Sequence, residues 1–381
     1  MENSENKRVA VTFAAIDPYI ETNIVQPTEK RMVGRDTVEW GERNIYPEYL
    51  LDLSKTVSSL RSVINGTADF IVGDGQEIAP LPGTAYGPGI MNLRGDTIRS
   101  QVDSIARDYE TYGGFALQII RGLGGAPVEV YYIDIRFLRS NKENTVFYYS
   151  EEWKKGRRDV ITYPAFQPIT PERWAQLTPE ERDRNAASIL FVKNTTTQVY
   201  PFPVYGAAVK ACETERAIDD YFLNAINNDF MGSAIVNFNN GAPSEEMQKE
   251  VTKNINEKYS GHRNAQRIVV AWNDDREHAA TIAPLKTEDF GDKFQALSKH
   301  CRQQIFTAFR AIPLLFGLTS EANTGFSTDE FEQSFKLFNR THVRPVQRLI
   351  CDAYDRIYGA PGVLKIQPFT LEETATEQTV N

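Results

Sequence analysis

Two long stretches do most to limit what this chain can fold into. Val204 to Phe230 and Glu288 to Ile312 each read as one helix with a single apolar stripe. In the first, Val204, Ala208, Ala211, Ile218, Phe222 and Ile226 recur mostly at three-, four- and seven-residue steps, with Lys210, Glu213, Glu215, Arg216, Asp219 and Asp220 on the other face. In the second, Phe290, Phe294, Leu297, Cys301, Ile305, Phe309 and Ile312 form the stripe. At 1.5 Å per residue that helix is roughly 37 Å long. A charged helix face is usually just solvated, but helices this long with one stripe also suit a channel wall or a neighbouring subunit. Between the two lies a compact insert: strand "SAIVNF", loop "NNGAP", helix "SEEMQKEVTKNINEKYSG" and strand "AQRIVVAW". Ser244 suits the start of the insert's helix and Gly261 its end.

The part before these helices reads as α+β. "VAVTFAAI" is strand-like. A helix is expected from Tyr46, with Pro47 in its first turn and Leu50, Leu53, Val57, Leu60 and Ile64 at helical spacing. Gly66 weakens its continuation, and "FIVGDG" reads as a short strand and turn. A second helix is expected over 97–111. Strands are expected at 114–122, 128–135, 145–150 and 187–194, where β-branched and aromatic runs are separated by turn residues.

After the second long helix comes "AIPLLFGLTSEANTGFSTDEF" (311–331). Pro313 stops the helix. From Pro313 to Ser327 there is no Lys or Arg and a single acid, Glu321. Ser327 and Glu330 form a capping box that opens a third long helix, which runs to Tyr358 with Gly359 as its stop. Pro345 sits inside that helix and is expected to kink it, because the ring removes a donor and clashes with the preceding turn.

No stretch makes a strong case for catalysis. "GLGGAP" (122–127) lacks the spacing and the Lys-Ser/Thr ending of a phosphate loop, and its place between strands makes it a hairpin turn. "NDDREH" gathers Asp274, Asp275, Glu277 and His278, a set that can hold a divalent ion. Neighbours on an extended strand face opposite ways, however, and a solvated loop is the plainer reading. His262, His278, His300 and His342 share no ligand spacing. Cys212, Cys301 and Cys351 form no CxxC pair, fall on helix-like segments among apolar neighbours, and read as small core residues in a reducing compartment. No cofactor and no metal are expected. The formal net charge of -9 is opposite to that of a protein that grips duplex DNA, since phosphate contacts need cations. The opening "MENSENKRVAVTF" lacks the apolar core of a signal peptide, and no uncharged apolar run is long enough to span a membrane.

Three stretches together carry a resemblance. They are "ILFVKNTTTQVYPFPVYGAAV", "NDFMGSAIVNFNNGAPSEEMQKEVTKNINEKYSGHRNAQRIVVAW" and "IFTAFRAIPLLFGLTSEANTGFSTDEFEQSFKLFNRTHVRPVQRLI". Their order and spacing resemble those of the portal (head–tail connector) proteins of tailed bacteriophages, over roughly Tyr46 to Gly359.

The resemblance implies an α+β portal-type fold. Its parts would be a wing (1–203), a first stem helix (204–230), a clip (231–287), a second stem helix (288–312), a tunnel loop (313–327), a kinked wing helix (328–359) and a short tail (360–381) with the family's helical crown minimal or absent. It implies a ring, usually of twelve subunits, at one capsid vertex. Double-stranded DNA would pass through without sequence recognition, and the terminase, the head–tail adaptor and the major capsid protein would be partners. The chain would have no catalysis of its own and would reside in the virion after assembly in the host cytoplasm. Thr319, Ser320, Glu321, Ala322, Asn323, Thr324 and Gly325 would face the DNA, with Pro313 and Pro345 as helix kinks. A conduit must touch DNA without holding it, and a loop without cations meets that need. A metal-dependent nuclease or nucleotidyl-transfer enzyme built on "NDDREH" is the alternative, and a generic oligomeric scaffold is a third reading.

Overall fold

The computed structural model describes residues 10–13, 24–32, 36–82, 84, 86–153, 160–227, 234–238, 243–259, 268–272, 290–317 and 328–370. In chain order, β1 (Ala10–Phe13), β2 (Glu29–Arg31) and β3 (Val38–Trp40) precede α1 (Tyr46–Thr56) and α2 (Ser58–Val72). Next come β4 (Gly75–Ile78), α3 (Ile98–Tyr112), β5 (Gly114–Arg121), β6 (Pro127–Ile133), β7 (Leu138–Ser140), β8 (Val146–Tyr149) and β9 (Ile161–Pro164). Two short helices, α4 (Pro171–Gln176) and α5 (Pro179–Ala186), lead to β10 (Ala187–Lys193). The second half holds α6 (Val209–Asn227), β11 (Ala234–Phe238), α7 (Glu245–Tyr259), β12 (Ile268–Trp272), α8 (Phe290–Phe309), α9 (Thr328–Phe338), α10 (Arg344–Tyr358) and β13 (Leu364–Gln367). The chain divides into two units, one of residues 1–23 and 213–301, the other of 24–212 and 302–381.

The larger unit is built on β5. It pairs antiparallel with β10 on one side (Leu117 opposite Leu190) and β6 on the other (Ile119 opposite Val130). Phe115, Leu117 and Ile119 enter the main core, while Ala116 joins a smaller core with Leu138, Phe147 and Ile189. Burial on both faces is why "GFALQIIRG" reads as a nearly continuous apolar run rather than an alternating one. Thr97 caps α3 by accepting from the Ser100 amide, and Gly113 ends it in the left-handed conformation. "GLGGAP" closes the β5–β6 hairpin. Arg121 reaches over it, donating to the Gly125 and Gln167 carbonyls at 2.7 and 2.6 Å.

In the smaller unit, β11 and β12 run parallel with α7 between them, and β1 adds to β12 antiparallel (Ala10 opposite Trp272). The insert is thus a strand-helix-strand as expected, but residues 10–13 pair with it rather than with the body that follows them in sequence. A sheet edge accepts any strand of suitable pattern, however distant along the chain.

Several local expectations shift. The helix from Tyr46 breaks at Val57, whose φ of -96° and ψ of 111° are extended. Gly66 lies inside α2 instead of ending it. Phe70 to Val72 finish α2, and the strand starts only at Gly75. The first long helix begins with a tight turn at Gly206–Ala208, and the second ends at Phe309. Among the described residues, no helix is long and apolar enough to cross a membrane.

Candidate functional site

The seven residues expected to face DNA, Thr319 to Gly325, lie outside the described residues, as do Ser327 and the "NDDREH" stretch. The structure does describe both ends of the segment that carries the seven, and each end is held firmly.

The leading end starts where α8 stops. The Arg310 amide donates to the Thr307 carbonyl at 3.0 Å and the Ala311 amide to the Phe306 carbonyl at 2.9 Å. This pair of bonds is the Schellman pattern, with Arg310 in the left-handed position at φ 54°. The helix therefore stops short of Pro313, the stop expected from sequence. The left-handed turn at Arg310 ends it three residues earlier, and Ile312, which a following proline disfavours in the helical region, is already extended (φ -95°, ψ 115°). Pro313 then opens a tight turn to Phe316, which Gly317 closes at φ 75°.

Phe316 is the anchor of this end. Its ring meets Phe70 at 6.3 Å, Phe306 at 5.6 Å and Phe338 at 5.9 Å, all close to edge-on. Edge-to-face packing of this kind adds about 1 kcal/mol per pair beyond the area buried. The fourth wall is Gly66. A Cβ there would stand 2.8 Å from the Phe316 Cε1.

The returning end enters α9, whose first turn carries Asp329 and Glu330, favourable charges at a helix N-terminus. α9 runs through a wider π-helical turn at Asn339–Val343 into α10. Pro345 sits in the first turn of α10. Its ring lacks the donor that an unbroken α-ladder needs there, and the wide turn just before it takes up the mismatch. α10 is then pinned by buried polar contacts. Gln347 donates to the Ile71 carbonyl at 2.9 Å, and the Tyr354 hydroxyl donates to Gln101 at 2.8 Å. His342, buried and stacked on Phe338, has its Nε2 2.9 Å from Glu110 Oε1. So His342 packs inside, while His300 is exposed. All three cysteines are free thiols; Cys212 and Cys301 are buried as expected of core residues, while Cys351 is only half-buried. Among the described residues, no group of three or more His, Cys, Asp or Glu side chains could hold a metal ion.

The seat of Phe316 is not foreseeable from sequence. The one available signal is Gly66, a glycine inside an otherwise helical pattern, which marks a close approach as readily as a helix end.

Residues 96–370 match a family model described as phage portal protein. Three solved structures are similar. The neck of an empty GTA particle computed with C6 symmetry aligns with a TM-score of 0.48 at 14% identity, covering 87% of this chain and 86% of that one. The virion of a native gene transfer agent particle aligns at 0.46 and 14%, covering 90% and 86%. An HK97 family phage portal protein from Corynebacterium diphtheriae aligns at 0.45 and 10%, covering 84% and 93%. No curated protein matches the chain.

Proposed function

This chain belongs to the phage portal protein family, and we propose from that membership that it forms a ring at one capsid vertex through which double-stranded DNA is packaged and ejected. The family match over residues 96–370 is the observation that carries this reading.

The ring is a homo-oligomer, with twelve subunits as the family's usual number. In it, α6 and α8 are the stem, the β11–α7–β12 insert with β1 is the clip, and most of the remainder is the wing. The segment 313–327 is the tunnel loop. One feature of α6 supports association between copies. Tyr221 and Phe222 pack on Phe294 yet stay 51 and 36% exposed, and Leu223 is 58% exposed, apolar surface that a lone chain leaves in water. Its partners are the terminase, which docks for packaging, the head–tail adaptor and the major capsid protein, and the ring itself resides in the virion after assembly in the host cytoplasm. As a conduit the chain has no catalysis of its own. The DNA-facing residues Thr319 to Gly325 exchange hydrogen bonds with water and passing phosphates without adding a fixed cation.

Particle mass and negative-stain imaging of the purified chain test this. The expected result is a ring near twelve times 43.1 kDa with a central channel. A monomer at every concentration and salt that cleaves DNA with Mg²⁺ would overturn it in favour of the metal-dependent nuclease.

A further inference from the structure

After α10, Gly359 closes the helix and the chain turns back on itself. Asp355 accepts the Gly362 and Val363 amides at 2.8 and 2.9 Å, which fixes the turn. β13 then pairs antiparallel with β4, from Leu364 opposite Ile78 to Gln367 opposite Gly75. Past the strand, Asp74 accepts from both the backbone amide (3.0 Å) and the hydroxyl (3.2 Å) of Thr370. The strand pairing and the Asp74 bonds bracket Pro368 and Phe369, of which Phe369 carries a ring. Its ring meets Phe70 at 5.3 Å and 89°, and Phe335 at 6.1 Å.

Phe70 is the junction. The same ring that receives Phe369 also meets Phe316, Phe335 and Phe338. Phe369 differs from the other rings of the cluster in being 38% exposed. A cavity of about 550 Å³ opens beside it, lined by Asp69, Val72, Gly73, Asp74, Ser100 and Phe369 itself. A partly exposed ring at the end of a two-stranded strap depends on the strap for its place as well as on the two rings it meets.

We propose that Phe369 is a positioning residue for the Pro313–Gly317 turn: it closes over Phe70, Phe70 fixes the place of Phe316, and the C-terminal strap thereby sets how the chain leaves α8. Its bearing on DNA transit rests on the portal reading above, whereas the positioning itself does not. Phe369 acts through Phe70, because Phe70 is the ring that both it and Phe316 contact.

Hydrogen exchange of the Leu315 and Gly317 amides in the full-length assembly tests this. Both amides bond within the turn, to the Ile312 and Leu314 carbonyls. Phe369→Ala is expected to speed their exchange about fivefold, the factor that losing the Phe369–Phe70 pair, the one linked to Phe316, implies. Phe369→Tyr should keep them protected, and the milder Phe369→Leu should fall between. The Val130 amide, bonded to the Met91 carbonyl at 2.8 Å, should not change. In a Phe316→Ala background the Phe369→Ala effect should vanish, since the two are coupled through one ring. Unchanged exchange at Leu315 and Gly317, an equal rise at Val130, or additive effects in the double variant would each overturn the proposal. DNA packaging by the same variants separates the two readings. Faster exchange with undiminished packaging would leave Phe369 as a positioning residue and overturn the bearing of that positioning on DNA transit.

Discussion

The ring of Phe316 lies so close to the Cα of Gly66 that a methyl group there would stand 2.8 Å from its Cε1. A mid-helix Gly→Ala change normally stabilises by about 0.5–1 kcal/mol. Here it drives a methyl into a ring that Phe70, Phe306 and Phe338 hold from other sides. Gly66→Ala is therefore expected to destabilise by about 1–3 kcal/mol, as overpacked cores do. Thermal unfolding measures it. If the clash is the cause, Gly66→Ala should lose its penalty in a Phe316→Ala background.

Arg139 is fully buried between Trp40 and Trp153. Its guanidinium donates to the Asn44 side chain and carbonyl and to the Arg136 and Leu138 carbonyls, with Glu48 at 3.9 Å. Lysine has neither the planar fork nor the reach to satisfy these acceptors together. Arg139→Lys is expected to lower stability by about 3 kcal/mol, the scale for a buried charge whose partners are broken. Denaturant unfolding should show a lower midpoint with an unchanged slope.

Asp108 gives the fold a pH dependence. Burial and then the nearby Asp134 carboxylate push its carboxyl well above the usual range, although it accepts a hydrogen bond from the Tyr132 hydroxyl. A raised folded-state pKa means the folded state binds the proton more tightly. The resulting stability is present in full below the ordinary carboxylate range and is lost as pH rises through the folded value. Asp108→Asn cannot ionise, so its unfolding free energy should fall less steeply with rising pH than that of the parent chain. Equal slopes from acid to alkaline pH would show that Asp108 does not set the dependence.

Much of this is legible in sequence because it rests on periodicity. α6, α8 and the helix of the insert show the helical period, and β5 is a short apolar run bounded by turn residues; the expected helix or strand forms at each. What sequence does not show depends on contacts between distant residues. Gly66 reads as a weak point in a helix until Phe316 is seen against it. β1 has no visible partner in sequence, because nothing local ties Ala10 to Trp272. Pro345 is plain, but the wide turn at Asn339–Val343 that accommodates it is not, since it is a response of the backbone rather than a residue type.

Pro345→Ala restores a donor where the wide turn now stands. The turn is expected to tighten toward α-helix, rotating α9 relative to α10 and shifting Phe335 and Phe338 against Phe70. Stability should change by about 1 kcal/mol or less, because proline at the first turn of α10 carries little of its usual interior penalty. Packaging should nevertheless fall, since the returning end of the loop is re-aimed. Normal packaging with a tightened turn would make the π-helical segment incidental to function.

On the proposed function, the loop meets DNA and works by not holding it. Ser320→Lys with Asn323→Lys places two cations per subunit in a segment that has none between Pro313 and Ser327. The measurement is the length of DNA packaged as a function of salt, for the parent chain and for the double variant. Each phosphate that a new lysine neutralises should steepen the salt dependence of DNA retention by about 0.9 in logarithmic slope. Rings should still assemble, while packaging slows or stalls, most of all at low salt where phosphate attraction is least screened. Equal packaging by the two proteins at every salt concentration would contradict the claim, because cations placed in a loop that touches DNA cannot leave its passage unchanged.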